Sequence, residues 1–417
     1  MATTARSRAP LACLAALLAA CGADPAPAPT GFQRYVPAAG TPAAVAYRAG
    51  ITRYLATAAP TDTEVRASGV TTYTFDPADG PVCMRGGEFR ASVREGASDD
   101  LLIFLQGGGA CWSDFCLAVT AAPAGIPAMD LLRTTPEGPL RDFDVLYLPY
   151  CDGSLFAGDR AIDENNDGTP DRVHHGLQNL SAALTVGHRR FPRPRRVVLA
   201  GSSGGGFGTI LAAFLVRYVY PGVPLYVIND SGVGVARSGD AAFLDRLIDE
   251  FGARGFIPAD CADCTRGGHI TGLVRYLLDH DPNVRVAALS SWYDFVIADL
   301  FLRTPPTAFR DALAAETGAL HAAHPARYRR FLYDGRGHTA LLGNATGIVG
   351  TNLRAVELPA GFAAQIGMIE IESMYTLSVN DLTVARWIAA MVADDATVWA
   401  DVVQPAGPAP LRATPAP

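Results

Sequence analysis

Residues 195–216 read RRVVLAGSSGGGFGTILAAFLV: an apolar run, a serine–glycine turn, then a second apolar stretch of different period. Val197, Val198 and Leu199 form the short β-rich run of a strand buried in a parallel sheet. Phe207, Ile210, Leu211, Phe214, Leu215 and Tyr218 then recur at helical spacing until Pro221 and Gly222 end the pattern. The stretch is therefore strand, tight turn, helix, with Ser203 at the turn. Such a junction serves either as a phosphate-cradling glycine loop or as an elbow that presents a nucleophile.

Composition narrows the choice. All 34 basic residues of the 417-residue chain are arginine. A P-loop lysine, a Schiff-base amine and a Ser–Lys dyad are thereby excluded. The glycines of GSSGGGFG depart from the dinucleotide fingerprint, and the unit lies mid-chain rather than at the start of a βαβ domain. A net charge of −7, with no basic stripe beyond HRRFPRPRR, argues against nucleic acid as a partner.

Outward from the elbow, strand-like runs recur at Leu101–Leu105, Val145–Leu148, Leu225–Ile228, Val284–Leu289 and Tyr328–Tyr333, with helical segments between them. This alternation predicts an α/β domain with a mostly parallel sheet covered by helices on both faces. The more polar TTYTF and EFRASV predict an antiparallel edge. In such sheets reactive groups gather at the carboxyl ends of strands. There the chain places Gln106-Gly107-Gly108-Gly109, Ser203, Asp294 and His338 in turn. The order Ser, Asp, His is that of α/β-hydrolases.

The residue types suit acyl transfer. A serine hydroxyl attacks a carbonyl only when an imidazole takes its proton, and a carboxylate must orient that imidazole. The oxyanion that follows needs backbone N–H donors, which Gly204 and the glycine loop after Leu105 can supply. Ser203 is centred in G-x-S-x-G, and Ser202 is its rival as nucleophile. Asp230, in VINDSG, is the rival acid, but it follows the strand next after the nucleophile and reads as a loop-holding residue. His174 and His175 precede the nucleophile and read as loop packing rather than metal ligands. DENNDGTPD supplies the front half of a calcium loop in Asp163, Asn165, Asp167 and Gly168, with Asp171 beyond. Its twelfth position is His174 rather than a bidentate Glu, so a solvated polar turn is expected rather than a calcium site.

The N-terminus reads as an export signal. Arg6 and Arg8 precede the apolar LACLAALLAA, which is too short to span a bilayer. It ends at Leu18-Ala19-Ala20-Cys21, which resembles a bacterial lipobox and implies lipid attachment at Cys21 after removal of residues 1–20. Gly22 offers no aspartate-type retention signal, so an outer-membrane lipoprotein is expected, held to the membrane by lipid alone. Residues 21–45 read as a Pro/Ala-rich tether, 46–404 as the catalytic domain and 405–417 as a flexible tail. In an oxidising compartment the six cysteines beyond Cys21 should pair. They permit fifteen connectivities, and sequence proximity favours Cys111–Cys116 and Cys261–Cys264, leaving Cys83–Cys151.

Together LLIFLQGGGACW, LPYCDGSLFAGD, VHHGLQN, LAGSSGGGFGT, NDSGVG, SWYDF and GHT resemble the pectin acetylesterase/Notum family of serine carboxylesterases, from about Tyr73 to about Trp399. The resemblance implies an α/β-hydrolase fold in one domain with insertions, and ester hydrolysis without a cofactor. It implies a triad of Ser203, Asp294 and His338, with oxyanion donors at Gly108, Gly109 and Gly204. Acetylated polysaccharide is the implied substrate, with longer acyl chains on lipids or lipoproteins the alternative from the Notum branch. A non-catalytic binding protein on a hydrolase scaffold is the alternative from another class. Gly204 stands where many members have Ala, and the segment Leu342–Glu370 is an insertion that could form a lid.

Overall fold

A computed structural model describes residues 32–343 and 367–410, together with 356, 357, 359 and 365. The export signal, Cys21, the first part of the expected tether, most of the Leu342–Glu370 insertion and residues 411–417 lie outside the described residues. Ten strands form the central sheet: β1 (Asp62–Val65), β2 (Val70–Phe75), β3 (Phe89–Arg94), β4 (Asp100–Leu105), β5 (Asp144–Leu148), β6 (Arg196–Ser202), β7 (Leu225–Asp230), β8 (Val284–Ser291), β9 (Tyr328–Tyr333) and β10 (Val402–Val403). Their spatial order is β1-β2-β3-β5-β4-β6-β7-β8-β9-β10. From β5 onward every pairing is parallel, whereas β1, β2 and β3 form the antiparallel edge expected of the polar strands.

The alternation of strand side chains divides the core in two. Leu101, Ile103, Leu105, Val197 and Leu199 face α1 (Pro42–Arg48), α2 (Gly176–Arg190), α3 (Gly204–Val219), α4 (Phe243–Glu250), α5 (Thr271–His280) and α6 (Pro306–Ala323). Leu102, Phe104, Val198, Ala200 and Ile228 face α7 (Val384–Val392), Trp399 and the segment around Leu131. Helix α3 is buried along its whole length because it lies over the sheet centre beneath other helices. That arrangement fixes its first turn against the end of β6.

Two of the expected boundaries move. Helix α1 starts at Pro42 with Thr41 as its N-cap, so the packed chain begins within the segment read as tether. Ala43, Ala44, Val45 and Ala46 are buried, and Tyr35 stacks on Tyr218 with ring centroids 4.7 Å apart. Pro and Ala looked like linker by composition, but proline at the first helical turn and alanine inside it also make a good helix. At the other end Gly407 N–H donates to Asp334 at 2.8 Å and its carbonyl accepts from the Tyr293 hydroxyl at 2.7 Å. The ordered chain thus runs past 405.

The disulfides join Cys83 to Cys151, Cys111 to Cys116 and Cys261 to Cys264, the pairing that sequence proximity favoured. No helix among the described residues is long and apolar enough to cross a membrane.

Candidate active site

Strand β6 ends at Ser202 and α3 begins at Gly204, leaving Ser203 at φ 56°, ψ −120°. A non-glycine residue rarely holds positive φ, and where it does the surroundings must over-determine it. Here the Ser203 N–H donates to the Asp230 carbonyl at 2.8 Å. Gly205 permits the turn to press on β4: a Cβ there would lie 2.0 Å from the Leu105 carbonyl oxygen. The two serines part company at this turn. Ser202 is fully buried and its hydroxyl donates to Asp230 Oδ2 at 2.8 Å, while Ser203 lines a cavity.

Asp294 follows β8, and His338 follows β9. The His338 Nδ1 lies 2.9 and 3.0 Å from the two carboxylate oxygens of the fully buried Asp294. A carboxylate accepts, so in the neutral imidazole this contact favours the tautomer with the proton on Nδ1 and the lone pair on Nε2. Asp294 Oδ1 also accepts the Ile297 N–H at 3.0 Å, capping a π-helical turn, Phe295–Phe301. The structure therefore brings Asp294 and His338 together directly. Among the described residues no hydrogen bond joins Ser203 Oγ to the imidazole; the serine is tied to the histidine loop through β7.

Asp230, the rival acid, is occupied elsewhere. Its carboxylate accepts from Ser202, from Ala340 N–H at 3.0 Å and from Leu341 N–H at 3.0 Å. Burial pushes its pKa up to about 6, against the opposing pull of the Leu341 N–H, the Ser202 hydroxyl, the Ala340 N–H and His338. Its neighbours matter as well. Ser231 Oγ accepts the Thr339 N–H at 3.0 Å, and both residues hold positive φ, 57° and 65°. Sequence reading singled out Asp230 but passed over Ser231 and Thr339. The only signal was the place of Ser231 directly after β7 and of Thr339 next to His338.

The glycine loop after β4 leads into a hairpin, Gly109–Trp112 with Phe115–Val119, that stands off the main sheet. Val119 N–H donates to the Gly108 carbonyl at 2.8 Å, which makes Gly109 and Ala118 a non-hydrogen-bonded pair and leaves the Gly109 N–H outside the ladder. Gly204 packs on the same loop: a Cβ there would sit 2.8 Å from the Gly109 carbonyl oxygen. The Cys111–Cys116 bridge crosses the hairpin at directly opposed residues. Its tip is fixed by Glu250, which accepts from Ser113 N–H at 2.6 Å and pairs with the buried Arg172 at 3.0 Å. Arg172 in turn donates to the Cys111 carbonyl at 3.2 Å.

Between Ser203 and this hairpin lies a cavity of about 30 Å³, walled by Phe115, Leu117, Phe207, Ile297, Leu300 and Phe301. Every one of those side chains is apolar. The acidic loop read as a partial calcium motif bonds to itself: Asp163 accepts from Gly168 N–H at 2.8 Å, and Asp171 from Glu164 N–H at 2.7 Å. His174 is buried, with Nδ1 2.9 Å from the Asp152 carbonyl oxygen, and His175 Nδ1 lies 2.7 Å from that of Gly80. Among the described residues no group of three or more His, Cys, Asp or Glu side chains is arranged to hold a metal ion.

No protein-family model matches the chain, and a search of curated proteins returns no match.

Proposed function

We propose that the chain is an exported serine carboxylesterase that hydrolyses short acyl esters, acetyl esters of carbohydrate being the substrate class. The observation that carries this reading is Ser203 on a strained strand-to-helix turn, with a buried Asp294–His338 pair at the ends of neighbouring strands. In the reaction Ser203 Oγ attacks the ester carbonyl carbon while His338 Nε2 takes its proton. The N–H groups of Gly108, Gly109 and Gly204 receive the oxyanion. Collapse of the tetrahedral intermediate breaks the ester C–O bond, and the imidazolium returns the proton to the departing alcohol. Water then repeats the sequence on the acyl-serine and releases the acid. Asp294 keeps the proton on Nδ1 and stabilises the imidazolium.

The small apolar cavity beside Ser203 favours a short acyl group over a long one. On this reading Cys21 carries the lipid that holds the enzyme to the outer membrane. Labelling with a fluorophosphonate followed by peptide mapping tests the nucleophile, and p-nitrophenyl acetate against octanoate tests the acyl length. Label on Ser203 with acetate preferred is the expected result. An unlabelled protein inert toward both esters would overturn the reading, and retention of detergent-phase partitioning by Cys21→Ser would overturn the lipid anchor.

A further inference from the structure

We infer that Asn229, Asp230 and Ser231 form a positioning hub that sets the distance between the nucleophile turn and the histidine loop. This inference rests on the esterase reading above. The three residues are consecutive, and each reaches a different part of the site.

Asn229 Nδ2 donates to the Gly206 carbonyl at 2.9 Å, within the first turn of α3, and to the Gly232 carbonyl at 3.0 Å. The Asp230 carbonyl holds the Ser203 N–H, and its carboxylate holds Ser202 on one side and the Ala340 and Leu341 N–H groups on the other. Ser231 Oγ holds the Thr339 N–H, next in chain to His338. All of these groups are buried or nearly so, where an unmet polar group costs far more than on the surface. Ser203, Ser231 and Thr339 all hold positive φ, and strained residues persist only where neighbours fix them.

Asp294 aims the imidazole, and among the described residues it makes no hydrogen bond to the nucleophile turn. Its bonds run to His338 and to its own π-helical turn. The histidine loop is also held by the Ser291 hydroxyl, which donates to the Gly337 carbonyl at 2.7 Å, and by the Glu370 carbonyl, which accepts the His338 N–H at 2.7 Å, but of these contacts only those of residues 229 to 231 reach both the nucleophile turn and the histidine loop. Misplacement of a catalytic group by about 1 Å can cost on the order of 100-fold in rate.

The test compares kcat and KM on p-nitrophenyl acetate for wild type, Asp230→Ala, Asp230→Asn and Ser231→Ala, each checked by circular dichroism and thermal melting. Asp230→Ala is expected to lower kcat about 100-fold with KM within about twofold, because ester binding does not depend on the serine–imidazole distance. Asp230→Asn keeps an acceptor for the loop N–H groups and should restore at least tenfold of that loss. Ser231→Ala, the milder change, should lower kcat about fivefold to tenfold, and it serves if Asp230→Ala does not fold. A folded Asp230→Ala or Ser231→Ala with kcat within twofold of wild type would overturn the hub. So would a loss confined to KM. A wild type that neither turns over nor takes a fluorophosphonate would instead sink the esterase reading, and the hub with it.

Discussion

Ser203, Asp294 and His338 stand at the ends of three parallel strands, and buried hydrogen bonds join the loops that carry them. The wall opposite is built otherwise. Phe115 and Leu117 come from a hairpin outside the main sheet, and Val296 and Leu300 from a single π-helical turn; they pack together as a small apolar cluster that borders the main core through Phe115. On the esterase reading, one side of the site works through direction and should tolerate little displacement. The other is shaped by volume, and its side chains are expected to change size without disturbing Ser203, Asp294 and His338. The two sides meet at Asp294, which orients His338 and caps the turn that forms the wall.

The directional side should give the largest effects. Ser203→Ala is expected to lower kcat by about 10⁴–10⁶ and to abolish fluorophosphonate labelling while the protein stays folded. Asp294→Asn should cost about 10⁴, since an amide NH2 facing Nδ1 donates where the carboxylate accepted and favours the wrong tautomer. Ser202→Ala should remain within about tenfold of wild type, because its hydroxyl serves Asp230 rather than the cavity. Steady-state kinetics on p-nitrophenyl acetate separate these outcomes. An active Ser203→Ala beside an inactive Ser202→Ala would move the nucleophile by one residue.

Asp230 sharpens the contrast through pH. Burial raises its folded pKa from the ordinary carboxylate value of 3.8 to about 6. Between those values the folded state holds a proton that the unfolded state has released. Stability from this group is therefore fully present below about pH 4 and is lost as pH rises through 6. Two pKa units amount to about 3 kcal/mol. Asp144, Asp152 and Glu372 are also shifted upward by burial, so the wild-type curve alone does not isolate Asp230. The difference between wild type and Asp230→Asn does. Urea denaturation at several pH values should show the Asn protein gaining on wild type from pH 4 to 6, with no further change above. A flat difference would mean that Asp230 titrates as it does in water.

How much of this was legible beforehand follows the same division. The strand at Val197, the helix from Phe207 and the turn between them show in local periodicity, because a buried parallel strand and a helix differ in length and spacing. Asp294 and His338 could be placed by strand-end position, and the cysteines by proximity. Ser231 and Thr339 could not, because their bond links positions 108 residues apart and neither residue type is unusual at a strand end. Nor could the cavity wall: the hairpin and the π-helical turn lie far apart in the chain and meet only in the folded protein. Pro42 misled in the other direction, since composition alone does not tell a linker from a helix start.

The hairpin offers a smaller effect. Its disulfide closes a loop with a sequence separation of 5, for which chain entropy gives a stabilisation of about 2 kcal/mol. Replacing Cys111 and Cys116 together by Ser should lower the unfolding free energy by about that amount in urea titration. Native protein should show no free thiol at either position. Ready alkylation of Cys111 without reductant would remove the brace from this side of the site.

The smallest effect tests whether volume alone governs the wall. Leu300 is buried in the π-helical turn and borders the cavity beside Ser203. Truncation to Ala enlarges the space without touching a hydrogen bond of the triad. A methylene in an apolar pocket discriminates by about 10-fold or somewhat more. Leu300→Ala should therefore raise the butyrate-to-acetate ratio of kcat/KM about tenfold, while the kcat for acetate changes little. The truncation also costs about 2–5 kcal/mol of stability, so the comparison must be made well below the melting temperature. Asp230→Ala should behave in the opposite way, lowering turnover of both esters alike and leaving the ratio unchanged. If Leu300→Ala leaves the ratio unchanged in a folded protein, the cavity is not where the acyl group lies. If it lowers both esters equally, the wall and the reacting groups are one rigid unit, and the division between the two sides of the site fails.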